Sequence, residues 1–242
     1  MSNLHRFFYD GPFKEQSVVA LDETAAKHIW QVLRMQSDDY IEITDGKGHV
    51  ATGTIKVVER HECEVTLEKV VFAPRKSHQL HLAVAFTKNN SRNEWLLEKA
   101  AELGVASITP IAAARSEKVH FRDERWEKLL ISALLQSKQD YMPELNNIMP
   151  LPEVLKKYKG IEHRFIAHCI DSMPKQTFAS QVKTQTETVI LIGPEGDFRQ
   201  DEVELAIENG YKTVSLGQHR LRTETAAISA CSFFNLLNDE GM

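Results

Sequence analysis

The chain has 242 residues, of which 42% are hydrophobic and 26% charged, with a formal net charge of −5 at pH 7. That length holds one or two domains with real cores, and the mild acidity excludes a globally basic polyanion binder, so any nucleic-acid contact must be a local patch. No apolar run approaches the ~18 residues of a membrane span, and "MSNLHRFFYDGP" lacks the features of a secretion signal. The three cysteines, odd in number and widely spaced, suit neither a disulfide framework nor a zinc site. A cytoplasmic protein with no membrane and no metal partner is expected.

Residues 1–72 read mostly as short strands with turn punctuation. "LHRFFY" opens the series, "YIEITDGKGHVATGTIKVV" reads as a hairpin around Asp45-Gly46, and "CEVTLEKVV" alternates. One helix interrupts them over 22–35, with Asp22 as N-cap and Ala25, Ile29, Val32 and Leu33 on one face. This pattern predicts a small β-barrel with an inserted helix. "APRKSH", residues 73–78, then reads as a linker.

From Leu80 strands alternate with helices. "LHLAVAF" is the continuous apolar run of a strand buried on both faces. Ser91-x-x-Glu94 reads as a capping box for a helix over 92–103 that Gly104 stops. "SITPI" is a strand, and Asp123 can cap a helix to about 138 with Trp126, Leu129, Leu130, Ala133 and Leu134 on one face. "RFIAH", "TVILI" and "TVSL" are further strands, with a short helix over 201–209 ended by Gly210 and a closing helix over 225–238. The alternation predicts an α/β domain with a mainly parallel sheet over residues 73–242.

Two loops end strands in the same way: "LIGPEGDF" at 191–198 and "LGQHRLRTETAA" at 216–227. Gly193 and Gly217 occupy the carboxyl edge of a parallel sheet, where ligands collect, and neighbouring strands would face these loops across one crevice. Glycine admits close backbone approach or positive φ, and Pro194 fixes the loop's direction. No phosphate-loop or dinucleotide pattern is present. A flat, uncharged heterocycle held by backbone amides, Leu216 and Leu221 fits better. From spacing alone, ordinary strand-to-helix turns are the better account of both loops.

The cluster Arg220-Leu221-Arg222-Thr223-Glu224-Thr225 asks for more. Thr223 or Thr225 can cap the last helix, and Glu224 suits its N-terminal dipole. Arg222 does not, because its cation sits beside the positive end. It calls for an anion: Glu195, Glu224 or a substrate. Residues 70–93 contain no acid and carry Arg75, Lys76, Lys88 and Arg92. Charge alone reads this stretch equally as a nucleic-acid patch or as a solvated linker and loop.

The segments "EWLLEKAAELGVASITPI", "LIGPEGDF", "DEVELAIENG" and "VSLGQHRLRTETAA", with "HRFF" and "HIWQVLRM" near the start, together resemble bacterial 16S ribosomal RNA uridine-N3 methyltransferases of the SPOUT superfamily. The resemblance covers nearly the whole chain. It implies a SPOUT trefoil-knot domain at 73–242, a PUA-like RNA-binding β-barrel at 1–72 and a homodimer that completes the site. It also implies a bent S-adenosylmethionine as cofactor and the 16S rRNA of the 30S subunit as substrate.

On that resemblance, His168, which ends "RFIAH", lines the cofactor pocket. The first loop contributes Ile192, Gly193, Pro194, Glu195 and Gly196. The second contributes Leu216, Gly217, Leu221, Arg222 and Thr223, followed by Thr225 and Ala226. Methyl transfer from a sulfonium depends on positioning, and loss of the uracil N3 proton calls for a nearby cation. Arg222 is the first choice for that cation. Glu224 orients it or accepts the proton, and Glu195 is a weaker candidate with a loop-ordering role as the alternative. For RNA phosphates, Arg6, His28 and Arg34 are expected from the first domain, and Arg75, Lys88 and Arg92 near the second. Phe7 or Phe8 can stack on an unpaired base unless its strand holds it in the core.

Three departures from the family pattern stand out. Asp197 replaces the second glycine of "GPEGG", Arg220 replaces an apolar residue, and Leu135-Gln136-Ser137-Lys138-Gln139 replaces a Glu-Gln-Ser-x-Arg pattern. Two rival readings follow. One is a ribose 2′-O-methyltransferase of the same superfamily. The other is a non-catalytic RNA-binding assembly factor, which the altered "LQSKQ" favours and the retained Arg222 and Glu224 oppose.

Overall fold

The computed structural model describes residues 4–117 and 123–238. Its contacts divide the chain into two units, 1–75 with 131–142 and 76–130 with 143–242.

In the first unit, β1 (Arg6–Phe8), β2 (Val18–Ala20), β3 (Tyr40–Thr44), β4 (His49–Val58) and β5 (Cys63–Phe72) form one sheet in the order β1-β3-β4-β5-β2. Alternate residues face inward: Ile41, Ile43, Ala51, Ile55, Val65 and Leu67 are fully buried. The β3–β4 hairpin turns where expected. Gly46 takes φ 64°, and the Asp45 carboxylate accepts the Lys47 and His49 N–H groups at 2.7 and 3.1 Å.

The inserted helix starts as α1 (Glu23–Lys27), with the Asp22 carboxylate accepting the Ala25 N–H at 2.8 Å. It then widens into a π-helical turn, His28–Leu33, that stops at Arg34 in the left-handed region. This wider turn breaks the expected 3.6-residue stripe. Ile29 is fully buried, but Val32, expected on the same face, is 67% exposed.

The second unit contains β6 (Gln79–Val84), α2 (Asn90–Glu102), β7 (Ser107–Ala112), β8 (Glu144–Leu145) and β9 (Met149–Pro150). Helix α3 (Asp123–Ser137) begins here, and its last turns count with the first unit. The unit continues with α4 (Leu151–Lys157), β10 (His163–Ala167), β11 (Gln176–Thr177), α5 (Phe178–Gln181), β12 (Glu187–Ile192), α6 (Gln200–Glu208), β13 (Lys212–Ser215) and α7 (Thr223–Asn238). The sheet is parallel throughout, in the order β11-β13-β10-β12-β6-β7-β8, with β9 on β7. Helices α4 and α6 pack Val154, Leu155, Val203 and Ala206 with Ala83, Ile166 and Leu191 of the central strands.

Two helix starts differ from expectation. Asn89, not Ser91, caps α2: its side chain accepts the Ser91 N–H at 3.0 Å, one of the donors a helix leaves open. Glu94 therefore completes no capping box and pairs with Arg125 at 2.7 Å. Helix α7 begins at Thr223 rather than at 225. The capping expected of Asp123 lies outside the described side chains. Among the described residues no helix is long and apolar enough to cross a membrane.

Candidate functional site

The strands that carry the two glycine loops are not neighbours. β10 lies between β12 and β13, pairing in parallel with both. Three strand ends, not two, therefore open onto the same crevice, a cavity of about 540 Å³. His168 comes from the end of β10. Ile192, Gly193, Pro194 and Glu195 come from the β12 loop, and Leu216, Gly217 and Leu221 from the β13 loop, with Thr223 and Ala226 of α7. Gly196, Arg222 and Thr225, expected in the same set, do not line it. The Gly196 carbonyl instead accepts from Arg115 Nη1 at 2.7 Å, and Thr225 lines a separate apolar groove with Trp95. Cys169, Asp171, Lys175, Asp197 and Arg220 add to the wall.

The two glycines serve different needs. A Cβ on Gly193 would stand 3.0 Å from the ring of Phe198 and 3.2 Å from its backbone nitrogen, so glycine lets the buried Phe198 fold back beneath the loop. Gly217 has open space around it but takes φ 143°, which side chains disfavour. Thr223 does not cap α7. Its hydroxyl donates to the Gly193 carbonyl at 3.0 Å and ties the two loops together.

His168 is 5% exposed. Its Nδ1 lies 3.2 Å from the Ile170 N–H and accepts from it, so the neutral ring carries its proton on Nε2. Burial first, and the Lys175 ammonium second, push the imidazole below its ordinary range and keep it neutral. Nε2 is buried with no hydrogen-bond partner in the protein. A buried donor on the wall of a cavity, left without an acceptor, suits a polar ligand.

Beside the cavity lies a charged cluster. Arg92 Nη1 donates to Glu195 Oε1 at 2.7 Å, and Arg92 Nε stands 3.7 Å from Glu224 Oε1. Glu224 is 8% exposed, and its Oε2 is buried without a partner. The anions considered for Arg222 are thus held by Arg92, which was expected to meet RNA. Arg222 itself is exposed and forms no ion pair among the described residues.

The other expected RNA contacts separate. Arg6 is turned inward in the first unit: its side chain is 8% exposed, pairs with Glu42 at 2.5 Å and Asp140 at 3.2 Å, and donates to the Gln139 carbonyl. It is not available to a phosphate. Arg75 lies over the Tyr141 ring, 4.5 Å from its centroid. His28, Arg34 and Lys88 are exposed. Phe7 is in the core at 6% exposure, and Phe8 is half-buried. In the departed segment, the Ser137 hydroxyl donates to the Ala133 carbonyl at 2.7 Å, and Gln136 is exposed.

A parallel sheet with its strand-end loops wrapped around one crevice, accompanied by a separate small β unit, is the architecture of SPOUT-type RNA methyltransferases. The RNA methyltransferase domain family matches residues 74–235, and the RNA methyltransferase PUA domain family matches residues 21–68. The ribosomal RNA small subunit methyltransferase E of Buchnera aphidicola subsp. Schizaphis graminum is 30% identical over 225 residues, covering 88% of each chain. A probable rRNA-methyltransferase from Porphyromonas gingivalis superposes with a TM-score of 0.89 at 34% identity, over 97% of this chain and 98% of that one. A ribosomal RNA small subunit methyltransferase E from Neisseria gonorrhoeae, bound to S-adenosyl methionine, gives a TM-score of 0.84 at 27% identity over 98% of both chains. The chain belongs to the RNA methyltransferase family, within the group of ribosomal RNA small subunit methyltransferase E.

Proposed function

We propose that the protein methylates N3 of a uridine in 16S rRNA, using S-adenosylmethionine, on the small ribosomal subunit in the cytoplasm. The carrying observation is the buried Glu224 Oε2, an acceptor without a donor beside the cavity. A uracil imide presents one such donor, the N3–H. For the cofactor, the supporting observations are the orphaned His168 Nε2, the backbone loops without phosphate-binding character, and the cavity between them.

S-adenosylmethionine, when bound there, supplies a sulfonium-activated methyl group. The chain's own residues do the rest. His168 donates from Nε2 to a polar group of the cofactor, while Leu216 and Leu221 offer apolar contact. Glu224 accepts the N3 proton through Oε2. Arg222, unpaired at the start of α7, faces the charge that develops on uracil O2 and O4. Arg92 keeps Glu195 and Glu224 apart and partly neutralised, so that Glu224 holds its place without Arg222.

Residues 1–72 serve as the RNA-binding domain, with His28 and Arg34 on phosphates, and residues 73–242 as the transferase. Two copies pair through α2 and α7. These helices expose Trp95, Phe233 and Leu236 around an apolar groove, with Leu237 nearby also 39% exposed.

The test is transfer of labelled methyl from S-adenosylmethionine to unmodified 30S subunits, followed by nucleoside analysis. The expected product is 3-methyluridine. A 2′-O-methyl nucleoside would overturn the N3 assignment. Cofactor binding with no transfer to intact subunits would overturn catalysis and favour an assembly factor.

A further inference from the structure

Asp197 holds a backbone conformation that favours glycine. Its φ is 63°, and its N–H closes a turn onto the Pro194 carbonyl at 2.8 Å. Its carboxylate makes two further bonds: Oδ2 accepts the Cys169 N–H at 2.8 Å, and Oδ1 accepts the Phe198 N–H at 2.8 Å. Cys169 follows β10, and Phe198 lies in the loop after β12. These strands are parallel neighbours whose ladder ends at Ala167 opposite Ile192. The carboxylate therefore staples the two loops where the sheet stops doing so. One residue before Cys169 stands His168, and both His168 and Asp197 face the cavity.

We propose that Asp197 is a positioning residue, a clasp that holds the loop after β10 against the loop after β12 and so presents the His168 Nε2–H to the cofactor. The proposal rests on the reading of the cavity as the S-adenosylmethionine site. Its physical content is preorganisation. A loop already tied down loses less freedom when a ligand arrives. Glycine at 197 takes the same φ without strain but leaves the Cys169 N–H with no acceptor. Asparagine keeps one acceptor oxygen but turns an amide donor toward the second N–H. Cofactor affinity should therefore fall in the order Asp, Asn, Gly. Glu224 stands on α7, Arg222 just before it and Arg92 on α2, and none of the three bonds to the Asp197 carboxylate, whose partners are the Cys169 and Phe198 N–H groups, so the loss should fall on the cofactor's KM and not on kcat.

Two measurements on the full chain decide this. The first is backbone hydrogen exchange over residues 168–171 in Asp197→Gly and in the unaltered protein; faster exchange in the variant is expected. The second is calorimetric and kinetic titration with S-adenosylmethionine. Loss of a charge-assisted bond should raise Kd and KM about tenfold in Asp197→Gly, and less in Asp197→Asn. The kcat should stay within about twofold. Unchanged exchange, unchanged affinity, or a fall in kcat at constant affinity would each overturn the clasp. If the unaltered protein fails to bind S-adenosylmethionine, the cofactor reading falls and with it the role toward the cofactor. The exchange result then judges the tie between the loops alone.

Discussion

Glu224 and Arg222 sit two residues apart but in opposite circumstances, one buried with an unsatisfied oxygen and the other exposed without a partner. A buried carboxylate oxygen left unbonded is costly, and its persistence next to a cavity marks a place for a donor from outside. Replacing Glu224 by Gln turns that acceptor position into an amide, so Glu224→Gln should lower kcat about a hundredfold while S-adenosylmethionine affinity is kept. Arg222→Ala should likewise cost about a hundredfold in turnover, read by single-turnover methyl transfer, with cofactor affinity mostly kept. Activity within a few fold of the unaltered protein in Arg222→Ala would remove it from the mechanism. Arg92 is the residue whose role changed most. Its partner Glu195 is 103 residues away in the chain, so charge and spacing alone could place it only in a basic stretch.

Among the elements, α2 and β6 carry their own tests. The Asn89 cap satisfies a helix N–H that would otherwise lack a partner, so Asn89→Ala should cost about 1 kcal/mol in denaturant unfolding, and Ser91→Ala much less. At the amino end of β6, His81 Nδ1 lies 2.7 Å from Ser107 Oγ, and Nε2 lies 2.9 Å from Glu187 Oε1. Burial lowers the proton affinity of His81, and Glu187 offsets this only in part. The folded chain therefore binds this proton less readily than the unfolded chain. The stability it contributes is fully present above the unfolded value of ~6.5 and is lost as pH falls through the window below it. His168 shifts in the same direction and adds to the effect. Thermal denaturation should show a midpoint that drops as pH is lowered from about 7.5 to about 5.5, and His81→Asn should flatten part of that drop.

For the whole molecule, the exposed face of α2 and α7 sets the expectation. Leu236 is 61% exposed, and Trp95 and Phe233 are each at least 40% exposed. A charge at this face should keep two copies apart. In light scattering the unaltered protein is expected to run as a dimer and Leu236→Glu as a monomer, with methyl transfer lost in the variant. A monomeric unaltered protein with full activity would remove the dimer from the proposal. The first unit presents a different surface: Arg6 is held inside it by Glu42 and Asp140, whereas His28 and Arg34 remain exposed. Arg34→Ala should weaken RNA affinity and flatten its salt dependence, and Arg6→Ala should act chiefly through stability.

The sequence by itself determined the long elements. The apolar runs of β6, β10 and β12 and the turn at Asp45-Gly46 carry their structure in local pattern and turn chemistry. So did the loops around Gly193 and Gly217, because glycine, proline and clustered charge are local signals. Only the tertiary structure decided the rest. β2, β8, β9 and β11 have two or three residues each, too few for any periodicity, and exist because a neighbouring strand offers a ladder. The insertion of β10 between β12 and β13 follows from how the crossovers pack, which no strand encodes alone. The pairing of Arg92 with Glu195 and the Asp197 tie to Cys169 join residues far apart in sequence. Their partners are chosen by proximity in the folded sheet, and composition and spacing hold no record of that.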